Sequence, residues 1–293
     1  MSATVAQSGF TANPQTASRL RRRRKRTNLV VAAFCMLATA IALILLLSIL
    51  ASLLVWGLPG LTLNVFTSTT KAPGSNGGLL NAIVGTLIQT GLGTLIGTPI
   101  GLLVGTYLAE YGRGAFAGAV RFVSDILLAA PSILIGLFIY QLIVAPVGGF
   151  SGIAGALALA IIVIPIVVRT TEDILRLIPA TMREAAAGLG APKWKVIVLI
   201  CYRSAREGIL TGILLAIARI AGETAPLLFT SLGNLNWSVS LTKPMSSLPV
   251  TIYQYAGSAF GDWVQLAWTG SLLITFGVLL VNLIARAAFH ERR

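Results

Sequence analysis

The sequence predicts an all-α integral membrane protein with six transmembrane helices. Three observations carry the prediction. Of its 293 residues, 56% are apolar and 11% are charged, and the mean hydropathy is +0.86; a soluble domain carries about 25% charged residues. Several apolar runs approach roughly 20 residues, the length at which a helix crosses the ~30 Å of bilayer hydrocarbon. The runs are continuous, whereas an outer-membrane barrel alternates polar and apolar residues in segments of about ten.

Residues 1–27 read as a basic cytoplasmic tail without fixed structure, rich in Ser, Thr, Gln and Asn before the run RRRRKR at 21–26. The six spans lie at 29–55, 80–108, 123–144, 152–168, 208–229 and 266–285, inside a membrane domain at 28–293. The first is too long to be the apolar core of a cleavable signal, which runs about 7–15 residues. The net charge of +13 raises nucleic-acid binding as a reading. The run at 21–26 directly precedes a span, so it is read instead as a topology signal with a secondary contact to anionic headgroups. No nucleic-acid partner is expected.

Charge placement tests this topology. With the N-terminus inside, the tail holds seven Lys/Arg and the loop after the second span holds Arg113 and Arg121. The loop after the fourth span holds seven more, and the C-terminus holds Arg286, Arg292 and Arg293. Only Lys71 and Lys243 fall outside, and Arg219 lies within a span. This asymmetry places both termini in the cytoplasm of a multi-pass protein. Cys35 lies in the first span and Cys201 on the cytoplasmic side, so no disulfide is expected, and the single histidine, His290, is terminal.

Gly93, Gly97, Gly101 and Gly105 recur every four residues in the second span. That spacing makes one smooth helix face for close packing, with a ligand approaching bare backbone as the alternative. Pro99 and Pro131 are expected to bend their helices. Two external segments, 57–79 and 230–264, are long; the aromatic stretch LPVTIYQYAGSAFGDW suits either an interfacial belt or a docking surface.

The large cytoplasmic loop at 169–207 contains REAAAGLGAPKWKVIVLI. Pro179 interrupts a helical pattern, and Thr181 with Glu184 has capping-box spacing. Gly190 is placed to end that short helix, and Pro192 to start the next. Two short helices joined at a glycine can dock into a groove on a soluble partner or lie flat on the membrane.

The residues Glu184-Ala185-Ala186, Gly190 and Ile200 resemble the EAA loop of ABC-importer permeases, although Tyr202-Arg203 stands where that pattern usually closes with Leu-Pro. GILTGILLAIARIAGETAPLLFT at 208–230 and SLPVTIYQYA at 247–256 are similar to the PstA-type family of phosphate-specific permeases, from about the second span to the C-terminus. The resemblance implies a type I, MetI-like permease fold with a cytoplasmic coupling helix, in a bacterial plasma (inner) membrane. It implies a PstC-type second permease, a PstB-type ATPase dimer and a PstS-type external phosphate-binding protein as partners. It also implies ATPase docking through Glu184, Ala185, Ala186 and Gly190. The chain has no Gly-x-x-x-x-Gly-Lys-Ser/Thr loop, no Ser-His-Asp set and no metal-ligand cluster. It is therefore expected not to be an enzyme and to hold no cofactor, ATP and Mg belonging to the partner ATPase. Other readings are a permease for sulfate or molybdate, a secondary transporter, and a subunit that mainly signals phosphate state.

The fifth span carries Arg219 and Glu223, four residues apart and hence on one helix face. A charged residue at the centre of a bilayer helix costs about 2.5–3.5 kcal/mol on insertion scales, and such residues face a bundle interior or a wet cavity. Pro226 cannot donate to the carbonyl of Gly222, so the helix should weaken just beyond the pair. Either the pair locks helix packing, or Arg219 contacts an oxyanion in transit while Glu223 holds it. A second pair, Arg169 and Glu172, is expected at the inner mouth, as an interfacial topology pair or an exit-side gate. Asp125 is assigned to Arg121.

Overall fold

The computed structural model describes residues 14–290, and all regular structure among them is helical. The longer elements are α1 (Pro14–Gly57), α2 (Leu80–Glu110), α3 (Gly114–Ala129), α4 (Ser132–Ile139) and α5 (Gly152–Arg176). They are followed by α6 (Ala180–Gly188), α7 (Tyr202–Ala221), α8 (Ala225–Thr230), α9 (Leu248–Ala256) and α10 (Gly261–His290). The chain divides after Ser52 into two units.

The first unit is the long N-terminal part of α1. Its apolar side chains, such as Phe34, Leu37 and Ile44, are exposed along the whole span, as a helix facing lipid requires. The expected irregular tail is helical from Pro14; residues 1–13 lie outside the described residues, as do Arg292 and Arg293 and the side chain of His290. Arg and Lys are good helix formers, and a helix nucleated in the apolar span extends outward with little further loss.

In the second unit α5 is the central helix, buried along most of its apolar length from Gly152 to Val168. It is apolar on nearly every side because protein surrounds it. α2 lies against it through the glycine face. A Cβ on Gly97 would stand 2.8 Å from the Ala160 carbonyl oxygen and the Val163 Cβ; one on Gly101 would stand 2.6 Å from the Val167 Cβ. One on Gly105 would stand 2.7 Å from the Thr171 Cβ. These gaps have no room for a methyl, so the four-residue glycine repeat is explained by close packing. Beyond α2 and α5, the core continues through Ile135 of α4, Ala216 and Ile220 of α7, and Leu227 of α8.

The third expected span is not one helix. α3 and the run Ser132–Val147 meet at 104°, at Ala130, which is extended with ψ 137°. Pro131 pushes the residue before it out of the helical region. Pro99, by contrast, stays inside α2 without ending it. α5 passes the expected end at Val168 and runs to Arg176, so its last two turns carry the charged residues Arg169, Glu172, Asp173 and Arg176.

The fifth expected span also differs. A continuous helical run leads from Lys193 through a π-helical segment, Val196–Cys201, into α7, and stops at Ala221. Pro226 therefore does not bend a continuing helix; it sits in the first turn of α8, where its missing N–H is harmless. Among the described residues four stretches, Arg24–Gly60, Leu80–Glu110, Gly152–Arg176 and Gly261–Ile284, are long and apolar enough to cross a membrane, and the bent pair makes a fifth if counted as one span. α7 falls short by this measure because Arg203, Arg206, Glu207 and Arg219 all lie in its 20 residues.

Candidate functional site

Arg219 occupies the last turn of α7, and Glu223 lies in the break before α8. Their closest approach, Nε to Oε1, is 3.7 Å, with 46% of the Arg219 side chain exposed and 16% of Glu223. That is an ion pair without a close hydrogen bond, so the guanidinium donors remain open. Beside it, a Cβ on Gly222 would meet nothing within 4 Å. Irregular backbone at membrane depth persists only where it is covered by protein or lines a wet cavity. α8 is covered on one side: a Cβ on Gly136 of α4 would lie 2.7 Å from the Cα of Pro226. Two broken helices, α3/α4 and α7/α8, thus rest on each other, and the charged pair stands at one of the breaks.

At the C-terminal end of α5 the charges pair differently from the sequence expectation. Arg169 and Glu172 are not partners. Arg169 approaches Asp173 at 3.2 Å and Asp125 at 3.7 Å, all three about half exposed. Glu172 is only 2% exposed; it accepts a hydrogen bond from Arg121 Nε at 2.7 Å and is ion-paired with Arg176, Nη2 to Oε1, at 2.6 Å. Asp125 therefore pairs with Arg169, not with Arg121. Arg121 also donates to the Leu108 carbonyl at 3.0 Å, so this buried carboxylate joins α3, α5 and the end of α2. Arg176 stands at i+4 from Glu172 and Asp173 at i+4 from Arg169, a spacing visible in the sequence.

In the loop at 169–207, α6 begins after Pro179, and Thr181 makes no cap. The proline turns the chain out of α5 and fixes the start of α6 two residues before the capping-box spacing predicts. Glu184 and Ala185 are exposed, whereas Ala186 packs among Leu175, Ile178, Val196 and Cys201. Gly190 has φ +79°, the left-handed conformation that ends a helix. Leu177, Leu189 and Trp194 are exposed on this loop, Leu189 at 90%, which is surface suited to a protein partner.

Two groups that sequence reasoning missed anchor the loop. Arg183 binds Glu110 of α2, Nη2 to Oε1, at 2.7 Å. It also donates to the carbonyls of Leu175 and Ile178 at 2.7 and 2.6 Å. Donating to the Glu110 carboxylate raises the Arg183 pKa. Burial pushes the neighbouring Cys201 thiol above its ordinary value, with Arg183 opposing.

The model of the binding-protein-dependent transport system inner membrane component family matches residues 97–290. The chain belongs to this family. Its curated relatives include the phosphate transport system permease protein PstA of Pasteurella multocida, 54% identical over 92% of this chain and 96% of that protein. The PstA proteins of Haemophilus influenzae and Yersinia pestis are 54% and 51% identical over 92% of this chain, and over 96% and 92% of their own lengths. Among solved structures, an inward-facing MetNI methionine ABC transporter chain is similar with TM-score 0.60 and 20% identity, over 73% of this chain and 95% of that one. A chain of a bacterial ABC transporter involved in alginate import gives TM-score 0.64 and 14% identity, over 94% and 99%. The expected all-helical, MetI-like permease fold is borne out. As a member of the inner membrane component family the chain is a non-enzymatic permease subunit, with ATP hydrolysis on a separate subunit, and it works beside an ATPase and a substrate-binding protein.

Proposed function

We propose that this chain is the permease subunit that forms half of the translocation pathway of an ATP-driven importer of inorganic phosphate. The other half is a PstC-type permease, the motor a PstB-type ATPase dimer and the donor a PstS-type phosphate-binding protein. The complex sits in the plasma (inner) membrane, with both termini of this chain cytoplasmic. The observation that carries the reading is Arg219: a half-exposed guanidinium with open donors at a helix break, in a chain whose relatives are named for phosphate transport. A planar guanidinium stays protonated and matches phosphate oxygens with paired donors. Glu223 holds it loosely and competes with the anion, because conduction needs a contact weak enough to release.

The mechanism is alternating access. Phosphate delivered outside passes Arg219, then the inner mouth, where Arg169 is half exposed beside Asp125 and Asp173. Glu172 acts at that mouth as the buried strut that fixes its helices. The ATPase engages the exposed Glu184, Ala185 and Gly190, while Ala186, expected from the sequence to dock as well, is buried and instead seats α6 on the loop's apolar cluster; the continuous helical run from Lys193 carries the motion to the break after Ala221. ATP and Mg act on the partner.

Reconstituted uptake tests this reading. Proteoliposomes holding the two permeases and the ATPase should accumulate radiolabelled phosphate only with ATP inside and the binding protein outside. Excess sulfate or molybdate should not compete. Uptake without ATP would make the chain a secondary transporter, and preferential sulfate or molybdate uptake would reassign its substrate.

A further inference from the structure

We propose that Arg183 and Glu110 are positioning residues that fasten the ATPase-docking helix α6 to the inner ends of α2 and α5, so that the three move as one body during transport. The inference rests on the reading of residues 169–207 as the docking loop.

α6 has nine residues, and an isolated helix of that length is marginal in water. Something else must make it stiff enough to transmit force. Arg183 is the residue before Glu184 and lies about 100° round the helix from it, so Glu184 is exposed while Arg183 is half-buried. Its guanidinium reaches the carbonyls of Leu175, in the last turn of α5, and Ile178, just beyond it, and the carboxylate of Glu110, the last residue of α2. The Glu110 carboxylate is nearly buried, so the pair is shielded from the water that weakens surface ion pairs. A second strap runs beside it. Lys193 donates to the Glu110 carbonyl at 2.7 Å and lies 3.9 Å over the Tyr111 ring. Cations are thus placed on the carbonyl ends of both helices, where helix dipoles favour them.

The consequence is mechanical. α2 and α5 already pack without clearance along the glycine face. With Arg183 and Lys193 gripping their ends, a displacement of α6 is delivered to a two-helix block and not to α5 alone. Coupling carried by such an element is an energy between two sites, and the Arg183–Glu110 pair is the charged centre of the contacts that carry it here.

Two readouts test this in the full complex. Glu110→Gln keeps the shape and a hydrogen-bond acceptor while removing the charge. It should leave assembly and binding-protein-stimulated ATP hydrolysis intact but lower the phosphate moved per ATP by about five- to tenfold, the low end of measured site-to-site couplings. Cys201, fully buried beside the pair, should react faster with maleimide in this variant, read by peptide mass so that Cys35 does not interfere. Unchanged coupling overturns the proposal. So does a parallel fall of transport and ATPase activity in an assembled complex, which would mark a purely structural contact. If the variant does not assemble, the wild-type complex decides. Cys201 protection that persists through ATP turnover supports a closed clamp, and labelling that accelerates during turnover refutes it. The underlying reading fails separately, if the ATPase binds equally well after residues 180–190 are replaced by a Gly/Ser linker.

Discussion

Two groups of charges sit in the same helical body and are built in opposite ways. At the C-terminal ends of α2 and α5, the inner ends in the proposed topology, carboxylates are buried and gripped: Glu172 lies within 2.7 Å of two arginines, and Glu110 lies within 2.7 Å of Arg183. At the break after α7, Arg219 and Glu223 stand 3.7 Å apart with the arginine half exposed. A buried charge left without its partner is strongly penalised, so the inner groups have little freedom to exchange partners. The loose pair keeps its donors available. The difference separates charges that hold helices from a charge that can hold a passing anion.

The comparison breaks most sharply at Arg219. Arg219→Gln should lower phosphate uptake by about 100-fold, matching the roughly 2.8 kcal/mol of a lost charge-assisted contact. ATP hydrolysis and the melting temperature of the assembled complex should stay close to wild type. A large loss of stability with proportionate loss of uptake would place Arg219 with the structural group.

Glu172→Ala should show the reverse pattern. Losing the carboxylate uncouples α3 from α5 and should cost ~2 kcal/mol in chemical denaturation, less than a fully buried pair because Arg121 and Arg176 can rehydrate. Glu172→Gln should recover part of the loss. No effect from either variant would mean that the network adds nothing to stability.

Gly97→Ala probes the frame to which both groups are attached. The added methyl meets the Ala160 carbonyl, which is backbone and cannot rotate away. Overpacking of this kind costs ~1–2 kcal/mol. Gly91→Ala, whose Cβ would meet nothing within 4 Å, is the matched control and should be neutral or slightly stabilising in the same denaturation assay.

The sequence made the apolar spans, the glycine face and the Arg219–Glu223 spacing legible because each is a local pattern on one helix. The break at Pro131 was legible as a bend, though not its angle, which α4 acquires by packing on α8. Thr181 failed as a cap because Pro179 determines where α6 begins. The Arg169–Glu172 pairing failed because partners at i+3 and i+4 are equally near on a helix, and α3 decided between them by bringing Arg121 to Glu172 and Asp125 to Arg169. Glu110 and Arg183 are 73 residues apart, and no local pattern could join them.

The smallest expected effect concerns how dry the inner group is. Cys201 lies fully buried beside the Arg183–Glu110 contact, and burial raises its pKa above the ordinary 9.0. A raised folded pKa means that the folded chain binds the thiol proton more tightly than the unfolded chain does. Stability from this group is therefore complete below about pH 9, the unfolded value, and is lost as the pH rises through the folded pKa, at a slope of at most ~1.4 kcal/mol per pH unit. Cys201→Ser removes the titration. Between pH 8 and 10, the stability of the serine variant should fall less steeply than that of wild type, while other alkaline titrations cancel in the comparison. Equal slopes would mean that water reaches the thiol, and that the inner charges are as well solvated as the pair at Arg219.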